Sequence, residues 1–501
     1  MNLLTILTMI ANGHEERVAI GRRVDGLSYA ELADRALRIG ERMAAEDARS
    51  LVFVAENGPA YPVALFGAAA AHAVFLPLNY RLSSDRIADA IGKQDRPWVV
   101  TDTPGLVPAG EAVRVLGPLE LLYLSLEGPV PAWPTEPQSD DIAVLLQTSG
   151  TTSAPKSAVL RHQHLTSYLM NATDFASAEP GDTMVVSVPP YHIAAVANLL
   201  SNLYSGRRII YLQNFIAAEW LDTVRAEEVT HAMVVPTMLA RIVNELDAQG
   251  LAGPPSLQAI SYGGSRISPT VLARALELFP RAGFVNAYGL TETSSSIAVF
   301  GPEDHRAALG SDDPTVQARL GSVGRPIPGV EIEIRHADGM PCTAGEAGEV
   351  WVRGAQVSGE YLESGALLDG DGWFHTRDRG SLDGDGYLFI EGRADDTVIR
   401  GGENIAPAEI EEAIQGHPAV LDAAVVGVPD DEWGQRIGAV VVRRAGAAIS
   451  EDEVREWVRG RLRSSKTPDA VVIQDEPLPE TATGKVLRRA LVDLFRAPAH
   501  N

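Results

Sequence analysis

Short apolar runs alternate with stretches of helix-forming residues through the first 300 residues, and this alternation limits the possible folds most strongly. The runs at 51–55, 74–78 and 142–146 have the length and apolar content of buried strands, and the small-residue stretch at 60–73 favours a helix. Strands that alternate with helices form parallel sheets covered by helices on both faces. The sequence therefore predicts an α/β fold here. Further strands are predicted at 184–188, 208–212, 232–235 and 283–286.

The pattern changes after about residue 320. Apolar and polar residues alternate at 330–334, and a turn sequence follows at 337–339, which is typical of a β-hairpin. Similar sequences at 349–352 and 387–390 extend this region. The alternation predicts a small antiparallel β unit, a small barrel, between the α/β region and the rest of the chain.

A second change of pattern divides the chain into two domains. The β-rich region ends near 393–396, and an α+β tail of about 100 residues follows. In this tail, Ser450 and Glu453 have the spacing of a capping box, which predicts the start of a helix. We expect an N-terminal domain over 1–394 and a C-terminal domain over 395–501.

Charge and cysteine content exclude several classes of protein. The chain has 66 acidic and 42 basic residues, and a net charge of −24 disfavours binding to a nucleic acid or an anionic membrane surface. Its single cysteine, Cys342, excludes an internal disulfide and a multi-cysteine zinc site, which favours a reducing, cytoplasmic compartment. No apolar run reaches the roughly 18 residues of a membrane-spanning helix, so we expect no integral membrane association. The apolar N-terminus lacks the basic residues of a secretory signal and predicts a helix that lies on the protein.

The segment from Thr148 to Ser157 is the strongest local signal for chemistry. Its sequence is T-S-G-T-T-S-A-P-K-S, and it follows a predicted strand. Backbone N–H groups and hydroxyls in such a loop bind phosphate oxygens, and the Lys156 ammonium binds their charge. Gly150 and Lys156 are spaced as in a P-loop, but Pro155 replaces the second glycine of that motif and removes an N–H. The residues alone leave two interpretations open, a polyphosphate loop and a Ser/Thr-rich surface turn.

Lysine is rare in this chain, so each lysine is a candidate functional residue. Among the 42 basic residues only four are lysines, namely Lys93, Lys156, Lys466 and Lys485. A guanidinium cannot always replace the compact ammonium of lysine. One of the four lies in the candidate phosphate loop.

The Thr148–Ser157 segment resembles the phosphate loop of the adenylate-forming superfamily, which comprises acyl-CoA synthetases, luciferases and peptide-synthetase adenylation domains. Ser153 and Ser157 stand where that family usually has glycine. Further family motifs follow in order across nearly the whole chain, at 189–192, 262–265, 286–293, 373–378, 391–396, 400–411, 431–435 and 481–489. The chain is most similar to the acyl-CoA synthetases, the carboxylic acid:CoA ligases.

The resemblance implies a site for ATP and AMP. Its residues would be Thr148, Ser149, Gly150, Thr151, Thr152, Lys156, Gly263, Gly264, Ser265, Asn286, Tyr288, Gly289, Thr291, Asp378, Arg393 and Lys485. Tyr288 would lie against adenine, and Asp378 would accept the ribose hydroxyls, although Arg377 replaces the usual preceding glycine. Glu292 would hold Mg²⁺, which prefers hard carboxylate oxygens. The implied catalytic residues are Lys485, Glu292 and Thr152.

The resemblance also implies sites for the acid and for CoA. The acid pocket would be lined by His192, Ile193, Ala194, Met238 and Ser294. Enzymes that adenylate α-amino acids typically have an Asp where this chain has Ile193, so we expect an aliphatic or aryl acid. CoA would be bound by Gly401, Gly402, Glu403 and Trp433, and Asp395 would be the hinge of the C-terminal domain. In the 464–469 segment, where some CoA ligases bind the CoA nucleotide, the chain keeps only Lys466.

The implied fold is a large N-terminal region of two α/β sheet subdomains and a small β-barrel, followed by a small mobile α+β C-terminal domain. The implied activity is that of an acyl-CoA synthetase: with ATP and Mg²⁺ it converts a fatty or aryl acid to acyl-AMP, releases pyrophosphate, and transfers the acyl group to CoA. Two alternatives stay open. One is an enzyme that loads an acyl or β-amino acid onto a carrier protein, and the other is a nucleotide-binding P-loop switch without ligase activity.

Overall fold

The fold is described from a computed structural model. The structure describes residues 1–108, 110, 112, 114–148, 156–393, 396–400, 403–430, 433–481 and 486–495, without the side chains of Glu403 and Asn404. Within this part of the chain, helices and strands alternate through the first 300 residues, which confirms the predicted α/β class. The helices of this region and its β-rich continuation are Leu3–Gly13, Tyr29–Ala45, Ala60–Ala70, Ser84–Gly92, Pro118–Leu124, His162–Ala172, Ile193–Ser205, Ala217–Ala226, Pro236–Gln249, Pro269–Leu278, Pro302–Leu309 and Pro314–Ala318.

Two large sheets form the α/β region. In the first, the strands lie in the order Gly365–Ala366, Glu360–Tyr361, Lys156–Arg161, Ile142–Thr148, Val74–Pro77, Ser50–Val54, Pro97–Thr101 and Arg114–Leu116. The strands from Ile142–Thr148 to Arg114–Leu116 are parallel, and the other three pair antiparallel at one edge. The central parallel strands Val74–Pro77, Ser50–Val54 and Pro97–Thr101 are almost entirely buried, as in sheets that helices cover on both faces, whereas the edge strand Arg114–Leu116 is partly exposed.

The second sheet also has a parallel centre. Its strands lie in the order Arg325–Pro326, Ser295–Phe300, Gly283–Leu290, Ala259–Gly263, His231–Val234, Thr183–Val186, Arg208–Tyr211, Val18–Ile20 and Leu27–Ser28. Antiparallel pairs flank the centre at both edges. Several candidate nucleotide residues lie near the carboxyl ends of Ile142–Thr148 and Gly283–Leu290, where open α/β sheets generally bind ligands.

The β-rich region forms a separate antiparallel sheet. Its strands lie in the order Val330–Arg335, Gly348–Gly354, Phe374–Leu382 and Leu388–Arg393. In the described residues its first and last strands do not pair with each other. This sheet places Asp378 and Arg393 directly opposite each other on adjacent strands.

The C-terminal part is α+β, as predicted. Its strands are Val398–Arg400, Glu403–Ile405, Val420–Asp430, Gly434–Arg443 and Ala470–Gln474, and its helices are Pro407–Gln415, Glu451–Arg459 and Arg488–Val492. The predicted capping box is confirmed: the Glu453 N–H donates to Ser450 Oγ at 3.3 Å, and the Ser450 N–H donates to the Glu453 carboxylate at 2.7 Å. The buried Val454 and Val458 attach this helix to the sheet.

The N-terminal helix Leu3–Gly13 lies on the N-terminal region, as expected. Most of its apolar side chains are buried, and the Leu3 N–H donates to His162 Nδ1 at 3.2 Å. The many prolines and glycines at 102–140 predict irregular structure, but this prediction is wrong in part, because the segment contains the strand Arg114–Leu116 and the helix Pro118–Leu124. In the described part of the chain, no helix combines the length and apolar character needed to span a lipid bilayer.

Three buried histidines make the stability of the fold depend on pH. Burial is the main cause that lowers the pKa values of His162, His164 and His231 from 6.5 to about 4. As the pH is lowered, these histidines therefore become protonated near pH 6.5 in the unfolded chain but only near pH 4 in the folded chain. We therefore expect the free energy of unfolding to decrease as the pH is lowered from about 6.5 to about 4, by on the order of 1 kcal/mol per pH unit for each histidine.

Urea unfolding at pH 7.5, 6 and 5 measures this dependence. The variant His231→Gln should lose about one histidine's share of the slope. Equal slopes for His231→Gln and the wild type would contradict the assignment.

Candidate active site

The candidate phosphate loop connects two paired strands. Thr148 ends the strand Ile142–Thr148, Lys156 begins the antiparallel strand Lys156–Arg161, and the two residues lie opposite each other. The Thr148 hydroxyl donates to the Lys156 carbonyl oxygen at 3.3 Å. The structure thus brings together the two ends of the loop. The other predicted phosphate-binding residues, Ser149, Gly150, Thr151 and Thr152, lie outside the described residues.

Close backbone contacts explain the glycines of the candidate adenine site. A Cβ atom at Gly263 would meet the Ala287 carbonyl oxygen at 2.2 Å, and one at Gly289 would meet the Ser295 carbonyl oxygen at 1.8 Å. Gly264 has a φ of +86°, which side chains other than glycine rarely adopt. The close packing of adjacent strands therefore requires glycine at 263 and 289, and the backbone conformation favours it at 264. Of the neighbouring candidates, Ser265 and Thr291 follow the ends of two adjacent strands. Asn286 lies within the second of these strands, and its amide donates to the Ser322 carbonyl oxygen at 3.2 Å.

A buried carboxylate joins the second large sheet to the β-rich sheet. The Tyr288 hydroxyl donates to Asp378 Oδ2 at 2.5 Å, and Arg393 Nε lies 3.6 Å from Asp378 Oδ1. Burial, followed by the Asp378 charge, raises the pKa of Tyr288 well above its usual value, so the phenol stays a donor. The resemblance placed Tyr288 beside adenine and Asp378 beside the ribose. The sequence did not reveal that the Tyr288 hydroxyl also donates a hydrogen bond to Asp378.

The residue before this carboxylate has an unusual backbone conformation. Arg377 has a φ of +63°, in the left-handed region that favours glycine. Glycine adopts this conformation with little strain, which explains why the adenylate-forming family usually has glycine at this position. The arginine side chain is exposed at that point.

Glu292 is buried without a charged partner in the described structure. It lies in the short turn Thr291–Thr293, is 8% exposed, and has no ion pair with a described residue. Its Oε1 accepts a hydrogen bond from the Tyr361 hydroxyl, and its backbone oxygen accepts from the N–H groups of Ser358, at 2.9 Å, and Gly359, at 3.1 Å. Buried charges normally pair with an opposite charge or bind a metal. This carboxylate therefore suits a hard cation such as Mg²⁺.

The candidate acid-binding residues lie in three places. His192 caps the helix Ile193–Ser205, and Ile193 and Ala194, in its first turn, pack against the largest apolar core. Met238 belongs to the helix Pro236–Gln249 and packs in a different apolar core. Ser294 is fully buried, and its hydroxyl donates to the Gln356 carbonyl oxygen at 2.9 Å.

Two basic residues of the candidate CoA surface are paired with carboxylates. The Trp433 ring is half-exposed and lies under the Arg400 guanidinium, 5.1 Å from the ring centre. Arg400 is paired with Asp469 at 2.7 Å, and Lys466 is paired with Glu409. Glu403 pairs through its backbone with Arg400. The predicted residues Asp395, Gly401, Gly402 and Lys485 lie outside the described residues.

Tyr361 and Gln356 contact the Glu292 turn, although the sequence did not indicate them. The Gln356 side chain is fully buried and donates to the carbonyl oxygens of Thr293, at 3.0 Å, and Ser296, at 2.9 Å. Both residues lie between the motifs at 286–293 and 373–378, where no local sequence pattern distinguishes them. Only their contacts with the Glu292 turn show their importance.

Comparisons with known proteins show the family to which the chain belongs. The family model "AMP-binding enzyme" matches residues 7–362, and the model "AMP-binding enzyme C-terminal domain" matches residues 409–485. A feruloyl-CoA synthase of Amycolatopsis sp is 35% identical over 477 residues, 92% of each chain. A fatty acid–[acyl-carrier-protein] ligase of Streptomyces coeruleorubidus is 30% identical over 490 residues, 94% of this chain and 92% of that one.

A solved structure shows the same likeness over the whole chain. The o-succinylbenzoate CoA synthetase MenE from Bacillus subtilis, in complex with the acyl-adenylate intermediate OSB-AMP, has a TM-score of 0.83 and 27% identity, covering 97% of each chain. The same enzyme has been solved with ATP and a magnesium ion, with a TM-score of 0.81.

Proposed function

The chain belongs to the AMP-binding enzyme family, and from this premise we propose that it is an ATP-dependent acid–CoA ligase acting on an aliphatic or aryl carboxylic acid. The observation that carries the proposal is the Glu292 carboxylate at the edge of the candidate nucleotide site, which is buried and has no ion pair with any described residue. Family membership also disfavours the P-loop switch.

The reaction has two parts. The carboxylate of the acid attacks the α-phosphorus of ATP, which forms acyl-AMP and releases pyrophosphate; the thiol of CoA then attacks the acyl carbon and expels AMP. Magnesium held by Glu292 would neutralise phosphate charge. Lys156, Thr151 and Thr152 bind the leaving pyrophosphate, and Lys485 stabilises the negative charge of the transition state. Catalysis is thus positional and electrostatic, with little proton transfer.

The remaining candidate residues have binding roles. Asp378 and Arg393 bind the ribose and phosphate, and Tyr288 lies beside the adenine. We place the domain boundary at Asp395, about which the C-terminal domain rotates between the two half-reactions. This rotation would withdraw Lys485 and present Gly402 and its neighbours to the thiol.

Product analysis tests the proposal. The enzyme is incubated with ATP, Mg²⁺ and a panel of fatty, aryl, β-amino and dicarboxylic acids, with and without CoA. We expect acid-dependent formation of AMP and pyrophosphate in equal amounts, and an acyl-CoA when CoA is present. Formation of ADP and phosphate, or no dependence on any acid, would refute it.

A carrier protein is a second candidate acceptor, because two basic residues of the candidate CoA surface, Arg400 and Lys466, are already paired with carboxylates. Arg400 with Asp469 and Lys466 with Glu409 leave little positive charge for the phosphates of the CoA nucleotide. The likeness to the acyl-carrier-protein ligase supports the same alternative. If the enzyme transfers the acyl group to a phosphopantetheinylated carrier protein but not to saturating CoA, the carrier protein is the acceptor.

The variant Trp433→Ala separates acceptor binding from adenylation. The exposed indole offers apolar area to the arm that carries the thiol, so its loss should raise the KM for CoA about tenfold, equivalent to about 1.4 kcal/mol. Pyrophosphate release in the absence of thiol should stay within twofold of the wild type. The control Leu421→Ala, which removes another exposed apolar side chain of the same domain, should change neither value. Equal losses in both half-reactions of Trp433→Ala would contradict this role.

A further inference from the structure

Residues 356–363 connect the Glu292 turn to the strand that follows the phosphate loop. At one end, the Gln356 side chain and the N–H groups of Ser358 and Gly359 bind backbone oxygens of the turn. At the other end, the Glu363 carboxylate accepts the Ser157 N–H at 2.9 Å. The segment therefore contacts both the candidate metal carboxylate and the candidate phosphate loop.

An ion pair and backbone pairing hold this segment against the same strand. Arg161 forms two hydrogen bonds with Glu360, at 2.8 and 3.0 Å, and both side chains are less than one-third exposed. Tyr361 pairs with Ala158, and the Leu362 N–H donates to the Ser157 carbonyl oxygen at 2.9 Å. A bidentate, partly buried ion pair has a defined geometry, so the position of Tyr361 is well determined.

Tyr361 contacts both functional groups at once. Its hydroxyl donates to Glu292 Oε1, and the Lys156 ammonium lies 5.4 Å from the centre of its ring. The phenol thus satisfies one carboxylate oxygen, and no other described side chain donates to Oε2. The aromatic face attracts the ammonium, which limits the positions that a flexible lysine can take.

We propose that Tyr361 is a positioning residue, whose hydroxyl orients Glu292 for the magnesium ion of MgATP and whose ring orients Lys156 for the phosphates. The inference rests on the proposed function, since it presumes that the site binds MgATP. Tyr361 itself touches neither the reacting carboxylate nor the α-phosphorus in this assignment.

Two substitutions separate the two contacts. Tyr361→Phe removes only the hydroxyl, so it should weaken binding of ATP in the presence of Mg²⁺ and leave binding of metal-free ATP unchanged. Tyr361→Leu also removes the aromatic face beneath Lys156, so it should weaken both. The matched control is Tyr387→Phe: Tyr387 also donates to a carboxylate, Asp304, at 2.7 Å and lies under an arginine, but away from the Glu292 turn.

Isothermal titration calorimetry of the full chain with ATP, without acid, measures these affinities in the presence of Mg²⁺ or EDTA. For Tyr361→Phe we expect about a tenfold increase in Kd with Mg²⁺ and less than twofold with EDTA. Tyr387→Phe should match the wild type in both. An unchanged Kd for Tyr361→Phe with Mg²⁺, or the same increase under both conditions, would overturn the inference. Absence of MgATP binding by the wild type would instead refute the proposed function.

A double mutant gives an independent test that does not depend on small changes in stability. In a Glu292→Gln background the metal carboxylate is absent, so adding Tyr361→Phe should change the Kd for MgATP by less than twofold. A further tenfold loss in the double mutant would show that Tyr361 acts elsewhere and would overturn the inference. Thermal unfolding of each variant checks that it is folded before titration.

Discussion

Replacing Lys485 with alanine is expected to slow formation of the acyl-adenylate several hundred-fold, equivalent to about 4 kcal/mol of transition-state stabilisation. The proposed role of its ammonium is to stabilise negative charge that develops between the attacking carboxylate and the α-phosphate. That charge exists only during adenylation, so the second half-reaction should not need the lysine. Turnover of a supplied acyl-adenylate with thiol should stay within a few-fold of the wild type.

Single-turnover measurements of pyrophosphate release and of thioester formation compare the two half-reactions. Lys93→Ala is the control, because this lysine is exposed and pairs with Asp89 in the helix Ser84–Gly92 that it follows. Lys485→Arg should recover little adenylation, since a planar guanidinium does not reproduce a compact ammonium. Equal damage to both half-reactions in Lys485→Ala would rule out a role restricted to adenylation.

Replacing Glu292 with glutamine is expected to reduce adenylation by roughly 100- to 1000-fold, equivalent to about 3–4 kcal/mol. The amide keeps the size of the side chain and can still accept the Tyr361 hydroxyl, but it removes the charge that binds the metal. Because the carboxylate is buried without a charged partner among the described residues, its neutralisation should not destabilise the fold. Activity and stability should therefore separate in this variant.

Pyrophosphate release at increasing Mg²⁺ concentration, together with thermal unfolding, measures both effects. We expect a large increase in the Mg²⁺ concentration needed for half-maximal rate and an unfolding temperature equal to or above that of the wild type. Glu303→Gln, at an exposed position in the helix Pro302–Leu309, is the control. A normal Mg²⁺ dependence in Glu292→Gln would show that another group binds the metal.

The sequence predicted most of the fold because its signals are local. The buried strands at 51–55 and 142–146 were placed within two residues of Ser50–Val54 and Ile142–Thr148, since each is a compact apolar run. The Ser450–Glu453 cap was predicted for the same reason. The strand Arg114–Leu116 and the helix Pro118–Leu124 were missed, because tertiary packing rather than local propensity stabilises them among prolines and glycines.

The sequence by itself determined the α/β class, the family motifs and the residue types at the candidate site, because these depend on spacing along the chain. Only the tertiary structure decided which groups meet: Tyr288 with Asp378 across two sheets, and Tyr361 with Glu292 and Lys156. Tyr361 is 69 residues from Glu292 along the chain, and no local pattern encodes such a contact. The physical reason is that a hydrogen bond or a cation–aromatic contact depends on distance and burial in the folded chain, which are set when separate sheets pack together.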